Sequence, residues 1–454
     1  MKAKKITSLA LSAVMAAGAM SGMATTVMAD EEQTLKLAVV ETAYGQDMWK
    51  NVCAKFEEAN PGVKVELTID KKLEDIITPA MKSGDYPDVI MRAVGSESAL
   101  TETFVKDNNV EEMTDVLEMT VPGEDVTVKD KILPGFVDNS ITNPYGDGKT
   151  YLMPMFYGPC GLFYNKGLFE EKGWEVPETW DEMWELGEKA KEEDIALFTY
   201  PTAGYFDAFF YALLHETAGA ETFQEALKYG EGVWETDGAK KTFEIIEKLA
   251  SYTEKTTPAN ANDNDFRKNQ QLILDNKALF MPNGNWVIGE MAASTPADYE
   301  WGMMGVPKWS EDESQSVYTF TEQMWVPADA PNMDLAKEFV KFMYSDEVVD
   351  ICLNNKTTDK ESGKESDTPV VVPVKGAADK LPDGVTKDCY AAATADDVVA
   401  VTGKWATTAP IEGLDMAKAV YGPIESINTG DMTVDEWQKQ LVETWEKCAD
   451  ALEK

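Results

Sequence analysis

The sequence predicts an α/β protein folded into two lobes. The chain has 454 residues, which is more than one hydrophobic core normally supports, so two lobes or domains are expected. Its opening reads as a βαβ unit, with extended apolar segments at 34–40 and 63–69 on either side of an amphipathic helix. Residues 151–164 are aromatic and apolar but are interrupted by proline and glycine, which indicates an extended segment that suits a crossing between lobes.

The elements after the opening unit continue the alternation of helix and strand. Residues 73–82 predict a helix, 83–87 a turn and 88–91 a buried strand. A helix and a polar turn then cover 104–117 and end the first segment of lobe one. These patterns place strands and helices in the order expected of an α/β lobe.

Two capping signals mark the start of the second lobe. Asn165 can cap a short helix that stops at Gly173, because glycine readily ends a helix. Thr179 and Glu182 have the spacing of a capping box, in which each side chain accepts a hydrogen bond from the other residue's backbone. A strand at 196–200 and further helices are predicted after it.

The N-terminal residues 1–29 read as a cleaved secretory signal. Lys2, Lys4 and Lys5 precede an apolar run over 6–20, and Val-Met-Ala stands before the first acidic residues. No later stretch approaches the roughly 20 apolar residues that a membrane-spanning helix needs. We therefore expect an exported protein with no membrane span in the mature chain.

Charge and cysteine content exclude several classes of site. The formal net charge of −40 repels nucleic acid and anionic lipid, and the simplest reading of so acidic a surface is solubility. The five cysteines form no C-x-x-C pair and none stands near the lone His215, so no metal or cofactor is predicted. Cys53, Cys352 and Cys448 lie on apolar helix faces, which favours buried thiols, with one disulfide as the alternative.

The segment from 148 to 182 resembles a known family. Its order G-K-x-Y-x-x-P, Y-N-K-x-L-F, G and P-x-T-W-D-E is similar to that of the extracellular solute-binding proteins of sugar-importing ABC transporters, the maltose-binding-protein type. The matching positions are Gly148, Lys149, Tyr151, Pro154, Tyr164, Asn165, Lys166, Leu168, Phe169, Gly173, Pro177, Thr179, Trp180, Asp181 and Glu182. The resemblance implies a two-lobed periplasmic-binding-protein-like fold of type II.

Further motifs extend the resemblance from about Leu35 to the C-terminus. They include F-E-x-x-N-P-G-V-K-V, G-D-x-P-D-V-I, the run K-A-L-F-M-P-N-G-N-W, in which Asn276 stands before the lysine in place of the family's glycine, and Y-E-W-G-M-M-G-V-P. The resemblance implies about three crossing segments, near Tyr151, Trp286 and Pro327. Lobe one then comprises 35–150 plus about 290–365, and lobe two comprises 151–289 plus about 366–454.

The resemblance also implies a sugar site in the cleft between the lobes. Sugars present hydroxyl groups at the ring edge and C–H groups on the ring faces, so a site needs polar side chains and flat aromatic ones. Trp286 is the leading candidate for stacking, because the family places a tryptophan in its G-x-W segment, with packing at the hinge as the alternative. The other candidates are Tyr205, Asp207, Tyr44, Asp47, Arg92, Glu97, Glu322 and Gln323.

The predicted function is to bind an extracellular mono- or oligosaccharide and hand it to an ABC-transporter permease. The ATPase must be a separate chain, because Asn143 stands where a P-loop needs glycine. We expect a monomer. The anchoring mode stays open, because Gram-positive family members carry a lipid-modified cysteine after the signal, whereas the first cysteine here is Cys53.

Other function classes remain as alternatives. A binding protein for a peptide or polyamine would share the fold, and a glycan-binding adhesin would share the ligand. A glycoside hydrolase needs only two suitably spaced acids, and the chain has 81 acidic residues. However, the sequence lacks a G-x-S-x-G elbow and a dinucleotide fingerprint, and it has a single histidine, so we predict no enzyme activity.

Overall fold

The computed structural model describes residues 33–452, apart from 43, 97, 203–204, 263, 310–313, 359–364, 396, 406–410, 412–413 and 415. The predicted secretory signal therefore lies outside the described residues. The strands are β1 (Gln33–Val40), β2 (Val63–Asp70), β3 (Val89–Met91), β4 (Met153–Asn165), β5 (Ala196–Phe198), β6 (Ala278–Gly284), β7 (Trp301–Met304), β8 (Gln315–Trp325), β9 (Lys356–Thr358), β10 (Glu365–Asp367) and β11 (Val398–Val401).

Helices surround these strands, and two short 3₁₀ helices lie at Val233–Glu235 and Ala378–Lys380. The α-helices are α1 (Asp47–Ala59), α2 (Leu73–Lys82), α3 (Leu100–Lys106), α4 (Thr114–Glu118), α5 (Val128–Lys131), α6 (Lys166–Lys172), α7 (Trp180–Glu192), α8 (Phe206–Leu227), α9 (Asp237–Ala250), α10 (Thr257–Asn260), α11 (Phe266–Leu274), α12 (Val287–Glu290), α13 (Met333–Phe342), α14 (Asp346–Leu353), α15 (Val385–Ala393), α16 (Met416–Val420), α17 (Pro423–Thr429) and α18 (Val434–Leu452).

Hydrogen bonds connect most of the strands in the order β2-β1-β3-β8-β4-β6-β5, with β7 paired to β4 and β11 paired to β8. Strand β1 is parallel to both β2 and β3, which confirms the βαβ opening. The long strands β4 and β8 run antiparallel to each other, and their register shifts between Pro154 and Tyr157. These two strands form the centre of the molecule.

Two hydrophobic cores lie on either side of this centre. The first contains residues of β1, β3, α1, α13 and α14, and the second contains residues of α7, α8, α9 and α18. Strand β4 contributes Tyr157 to the first core and Cys160 to the second, and β8 contributes Met324 to the first and Tyr318 to the second. The protein therefore has two lobes, and both long strands cross between them.

Helix α15 makes a third crossing. Cys389 packs in a cluster of the second lobe with Phe163 and Trp301, whereas the next residue, Tyr390, packs in the first core. The Tyr390 hydroxyl donates a hydrogen bond of 2.7 Å to the backbone oxygen of Tyr157. The crossings thus lie at β4, β8 and α15.

The expected crossing at Trp286 is wrong. Val287 and Met291, which follow it, pack with Trp301 in the second lobe. Strand β7 also stays in that lobe, because it pairs with the far end of β4, where Trp301 lies opposite Asn165. Long-range strand pairing, which the local sequence does not specify, keeps this part of the chain in the second lobe.

The lobe boundaries after residue 290 consequently differ from those expected from the sequence. Met304 and Val306 belong to the second core rather than to lobe one. Residues 370–372 belong to the first core rather than to lobe two, because the Tyr157 backbone N–H donates a 3.1 Å hydrogen bond to the Val371 oxygen at the start of the crossing.

The predicted local signals are confirmed. The Asn165 side chain accepts a hydrogen bond from Gly167 N and begins α6, which ends at Gly173 with φ of 65°. Thr179 and Glu182 form the capping box of α7. Capping satisfies backbone N–H groups that have no partner within the helix.

The cysteines and the histidine occupy structural positions. All five cysteines are free and buried. His215 Nδ1 lies 2.9 Å from Ser316 Oγ, and burial lowers the pKa of the imidazole. This histidine is a packed residue whose ring nitrogen has a protein partner. Among the residues that the structure describes, no helix is long and apolar enough to cross a membrane.

Candidate functional site

A cavity of about 360 Å³ lies between the two cores. Its volume is in the range of small-molecule sites. The first lobe contributes Tyr44 and Phe156, and the second contributes residues from α8 and from the end of β6. The described lining residues are Thr42, Tyr44, Phe156, Tyr157, Gly158, Cys160, Tyr205, Asp207, Ala208, Asn283, Gly284, Trp286, Tyr318, Phe320, Glu322 and Lys404.

Trp286 is the most exposed aromatic side chain of the cavity wall. It is 37% exposed, although it stands directly before α12 in a well-packed part of the second lobe. Its ring meets the rings of Tyr205 at 6.3 Å and Phe320 at 6.1 Å, both edge to face. These ring contacts constrain the orientation of the indole, while its exposed fraction leaves surface for a ligand.

Gly284 explains the G-x-W spacing of this segment. A Cβ atom at position 284 would lie 2.1 Å from the indole ring of Trp286. Only glycine therefore leaves room for the ring at this place, since any other residue would push it away. The lack of a side chain at Gly284, at the end of β6, thus gives the Trp286 ring the space that it occupies.

An ion pair lies in the cavity wall between Asp207, in the first turn of α8, and Lys404, which follows β11. Asp207 Oδ2 and Lys404 Nζ are 3.2 Å apart. Burial acts to lower the pKa of Lys404, but the charge of Asp207 and the nearby Tyr211 outweigh it and raise that pKa. The lysine is therefore held in its charged form.

The backbone around Lys404 is fixed by both lobes. The Tyr318 hydroxyl donates a 3.0 Å hydrogen bond to the Gly403 oxygen, and Thr402 Oγ1 donates one of 3.1 Å to the Gly135 oxygen of the first lobe. The ammonium group lies 5.7 Å from the centre of the Tyr211 ring, within the distance of a cation–π contact. These contacts hold the lysine side chain in the cavity.

Glu322 lies on β8 where this strand crosses between the lobes. Burial raises the pKa of its carboxyl group to about 7, although the charge of Arg92 acts to lower it. Burial also raises the pKa of Tyr44, and the charge of Glu322 adds to that effect. Near neutral pH this carboxyl group therefore exists in both protonated and ionised forms, so it can donate or accept a hydrogen bond.

Asn283 brings an amide with an unused donor to the cavity. The residue is 1% exposed, and its Oδ1 accepts a 2.9 Å hydrogen bond from Gly284 N. Its Nδ2 has no hydrogen-bond partner among the described residues. Buried polar groups are normally paired, so Nδ2 is an unsatisfied donor in the cavity wall, with almost no accessible surface of its own.

The cavity brings together five of the residues proposed from the sequence. These are Trp286, Tyr205, Asp207, Tyr44 and Glu322. Tyr205 contacts Trp286, and burial raises the pKa of its hydroxyl group to about 12, so this group stays protonated at neutral pH. All five residues come from segments that the family resemblance had placed at the cleft.

Three other proposed residues do not line the cavity. Asp47 is exposed at the start of α1, where it pairs with Lys50 at 2.8 Å. Arg92 Nε lies 2.6 Å from Glu74 Oε1 within the first lobe. Gln323 is 0% exposed and accepts a 2.9 Å hydrogen bond from the Val94 backbone at Oε1. Their polar groups are used within the protein, and Glu97 lies outside the described residues.

Sequence reasoning missed Lys404, Asn283, Phe156 and Phe320. No signal near residue 404 pointed to the cavity, because its partner Asp207 is 197 positions away. Asn283 stands inside the run that ends with Trp286, so its position in that motif was a signal that could have been used.

A family model for bacterial extracellular solute-binding proteins matches residues 39–350. The chain belongs to this family. Among its relatives, the diacetylchitobiose-binding protein NgcE of Streptomyces coelicolor is 25% identical over 322 residues, which cover 69% of this chain and 66% of NgcE. The match thus spans just under two thirds of the relative's length.

Solved structures show the same fold. The bacterial solute receptor AcbH, described as preferring β-D-galactopyranose, has a TM-score of 0.69 at 17% identity, over 93% of this chain and 99% of AcbH. The sugar-binding protein MalE of Xanthomonas citri also has a TM-score of 0.69, at 15% identity, over 92% of this chain and 98% of MalE. The fold is therefore the two-lobed type II fold of solute receptors.

Proposed function

We propose that this solute-binding protein binds a small carbohydrate, a mono- or oligosaccharide, in the cavity between its lobes. It then delivers the sugar unchanged to an ABC-transporter permease that is powered by a separate ATPase. The observation that carries the proposal is that the partly exposed indole of Trp286 and the charged pair Asp207–Lys404 line the same interlobe cavity.

The chemistry of the wall matches the two kinds of surface on a sugar. The partly exposed indole of Trp286, in contact with Tyr205 and Phe320, offers an apolar surface to the C–H groups of a ring face. Asp207 and Lys404 supply hydrogen bonds to hydroxyl groups. A few well-placed polar groups in a largely aromatic cavity give orientation and specificity.

The relatives support a carbohydrate ligand and an extracellular location. NgcE is a diacetylchitobiose-binding protein, AcbH is described as preferring β-D-galactopyranose, and MalE is a sugar-binding protein. Membership of an extracellular family agrees with the secretory signal proposed for residues 1–29, while the mode of attachment to the cell surface is left open. A carbohydrate receptor of an importer accounts for all of these features together.

Thermal unfolding with a panel of sugars tests the proposal. A ligand present at 100 times its dissociation constant adds about 2.7 kcal/mol of stability, which is a large shift of the melting temperature. Peptides and polyamines are screened in parallel, and stabilisation by one of these but by no sugar contradicts the proposal. Recovery of the bound sugar by mass spectrometry then distinguishes a receptor, which returns it unchanged, from a glycoside hydrolase.

A further inference from the structure

The pair Asp207–Lys404 is not explained by folding alone. Both side chains lie in the cavity wall, 24% and 21% exposed, so water screens them only in part. Removing two charges from water costs free energy that their mutual attraction often fails to recover, and well-packed apolar residues are frequently as stable. A half-buried ion pair that faces an interlobe cavity therefore points to a role in ligand recognition.

We propose that Lys404 and Asp207 together bind neighbouring hydroxyl groups of the sugar and make the site selective for uncharged sugars over sugar acids. This inference rests on the proposed function and specifies its ligand class. An ammonium group can only donate hydrogen bonds and a carboxylate can only accept them, whereas each hydroxyl group does both. With Nζ and Oδ2 only 3.2 Å apart, the pair offers one donor and one acceptor side by side.

The position of the pair supports contact with the same ligand as Trp286. Lys404 Nζ lies 6.0 Å from the centre of the Phe320 ring, and that ring lies 6.1 Å from the indole of Trp286. The indole and the lysine ammonium group thus both lie about 6 Å from the Phe320 ring, in the wall of the same cavity. Charge-assisted hydrogen bonds are about twice as strong as neutral ones, so these contacts contribute more than their number suggests.

The balance of charge in the cavity opposes an anionic ligand. Among the described lining residues, Lys404 carries the positive charge, while Asp207 and Glu322 are acidic. The charge of Lys404 also acts to lower the pKa of Glu102 in the first lobe, although burial outweighs it and raises that pKa. A sugar acid would bring a further carboxylate to a cavity whose cation is already paired, and like charges at short distance repel.

Calorimetric titration of variants with a neutral sugar that binds the native protein tests the pair. Because hydrogen bonds to charged groups contribute about 1.5–3 kcal/mol, K404M and D207N are each expected to weaken binding roughly tenfold to a hundredfold. The double variant is expected to bind more tightly than the product of the two single effects predicts, since partners in contact are coupled. If the losses of binding free energy in the two single variants simply add in the double variant, Lys404 and Asp207 do not bind the sugar jointly.

Matched ligands provide a readout that a purely structural role would not change. The native protein is expected to bind the neutral sugar at least tenfold more tightly than the sugar acid of the same ring. In D207N the lysine loses its partner and is free to pair with the ligand carboxylate, so this preference is expected to shrink or reverse. An unchanged preference in D207N overturns the inference.

Controls separate this inference from the proposed function. K172M breaks an ion pair of the same lobe at 3.0 Å, with Glu193, outside the cavity, and is expected to bind like the native protein. K404R keeps the charge and is expected to retain more of the affinity than K404M, which separates loss of charge from loss of packing. If no sugar binds the native protein, the proposed function fails; if a neutral sugar binds but K404M and D207N both bind it like K172M, only this inference fails.

Discussion

Two tryptophans of the second lobe show how the cleft wall differs from the core. Trp437 on α18 is 0% exposed, its Nε1 donates a 3.0 Å hydrogen bond to the Val420 oxygen, and its ring packs against Phe243 at 5.4 Å. Trp286 stands in the cleft and is 37% exposed, although its ring also contacts the rings of Tyr205 and Phe320. The fold thus buries the side chain completely at position 437 and leaves it partly exposed at position 286.

The difference in exposure indicates which tryptophans can contribute free energy to ligand binding. A tryptophan whose faces are covered by core residues has no surface left for a ligand, so its removal leaves a cavity. A tryptophan that the fold leaves partly exposed keeps surface that gains contacts only when a ligand arrives. Exposure of a large, well-positioned aromatic group inside a cleft is therefore a sign of a ligand site.

The largest effect is expected from Trp437→Ala. Truncation of a buried tryptophan leaves a cavity and breaks one hydrogen bond, and such changes cost about 3–5 kcal/mol of unfolding free energy. Urea denaturation measures this loss. Sugar affinity of the folded fraction is expected to stay within about twofold of the native value, and a large affinity loss would contradict the division between core and cleft.

Trp286→Ala is expected to have the opposite signature. Loss of the flat contact should weaken sugar binding by roughly 2–4 kcal/mol, the range of interface hot spots, while the unliganded protein still folds. Calorimetric titration and thermal unfolding of the same variant give both values. Unchanged affinity, or an unliganded protein that no longer folds, defeats the stacking role and moves it to Tyr205 and Tyr44.

Glu322 extends the comparison to a carboxyl group in the cleft wall, whose ionisation is expected to change the stability of the protein. Burial raises the pKa of its carboxyl group from 4.5 to about 7 in the folded protein. The stability linked to this shift is fully present below pH 4.5 and is lost as the pH rises through about 7. Between pH 4.5 and 7.5 the native protein should lose about 3 kcal/mol of unfolding free energy relative to Glu322→Gln. Parallel curves of unfolding free energy against pH would contradict this expectation.

The parts of the fold that depend on near neighbours could be predicted from the sequence. The caps of α6 at Asn165 and Gly173 and the capping box of α7 each join residues only a few positions apart. The βαβ opening follows from periodicity and chirality, which are also local rules. Such signals specify elements but not their partners in the sheet.

The remaining parts depend on contacts between distant segments. The place of β7 in the second lobe is decided by its pairing with β4, and Lys404 reaches the cavity through the parallel pairing of β11 with β8. Gln323 was proposed for the cleft, yet its amide accepts a hydrogen bond from Val94, which is 229 positions away. Loop polarity indicates where a site lies, but long-range packing decides which polar groups it uses.

The continuity of β4 and β8 through both lobes has a calorimetric consequence. If either lobe unfolds, the half-strands of the other lobe lose neighbours along the same backbone, since β4 pairs with β8 from Met153 to Cys160. Heat absorption on unfolding should therefore form one peak, with a calorimetric enthalpy close to the van't Hoff value. Two lobes joined only by loose connections would instead melt as separate units, in two peaks.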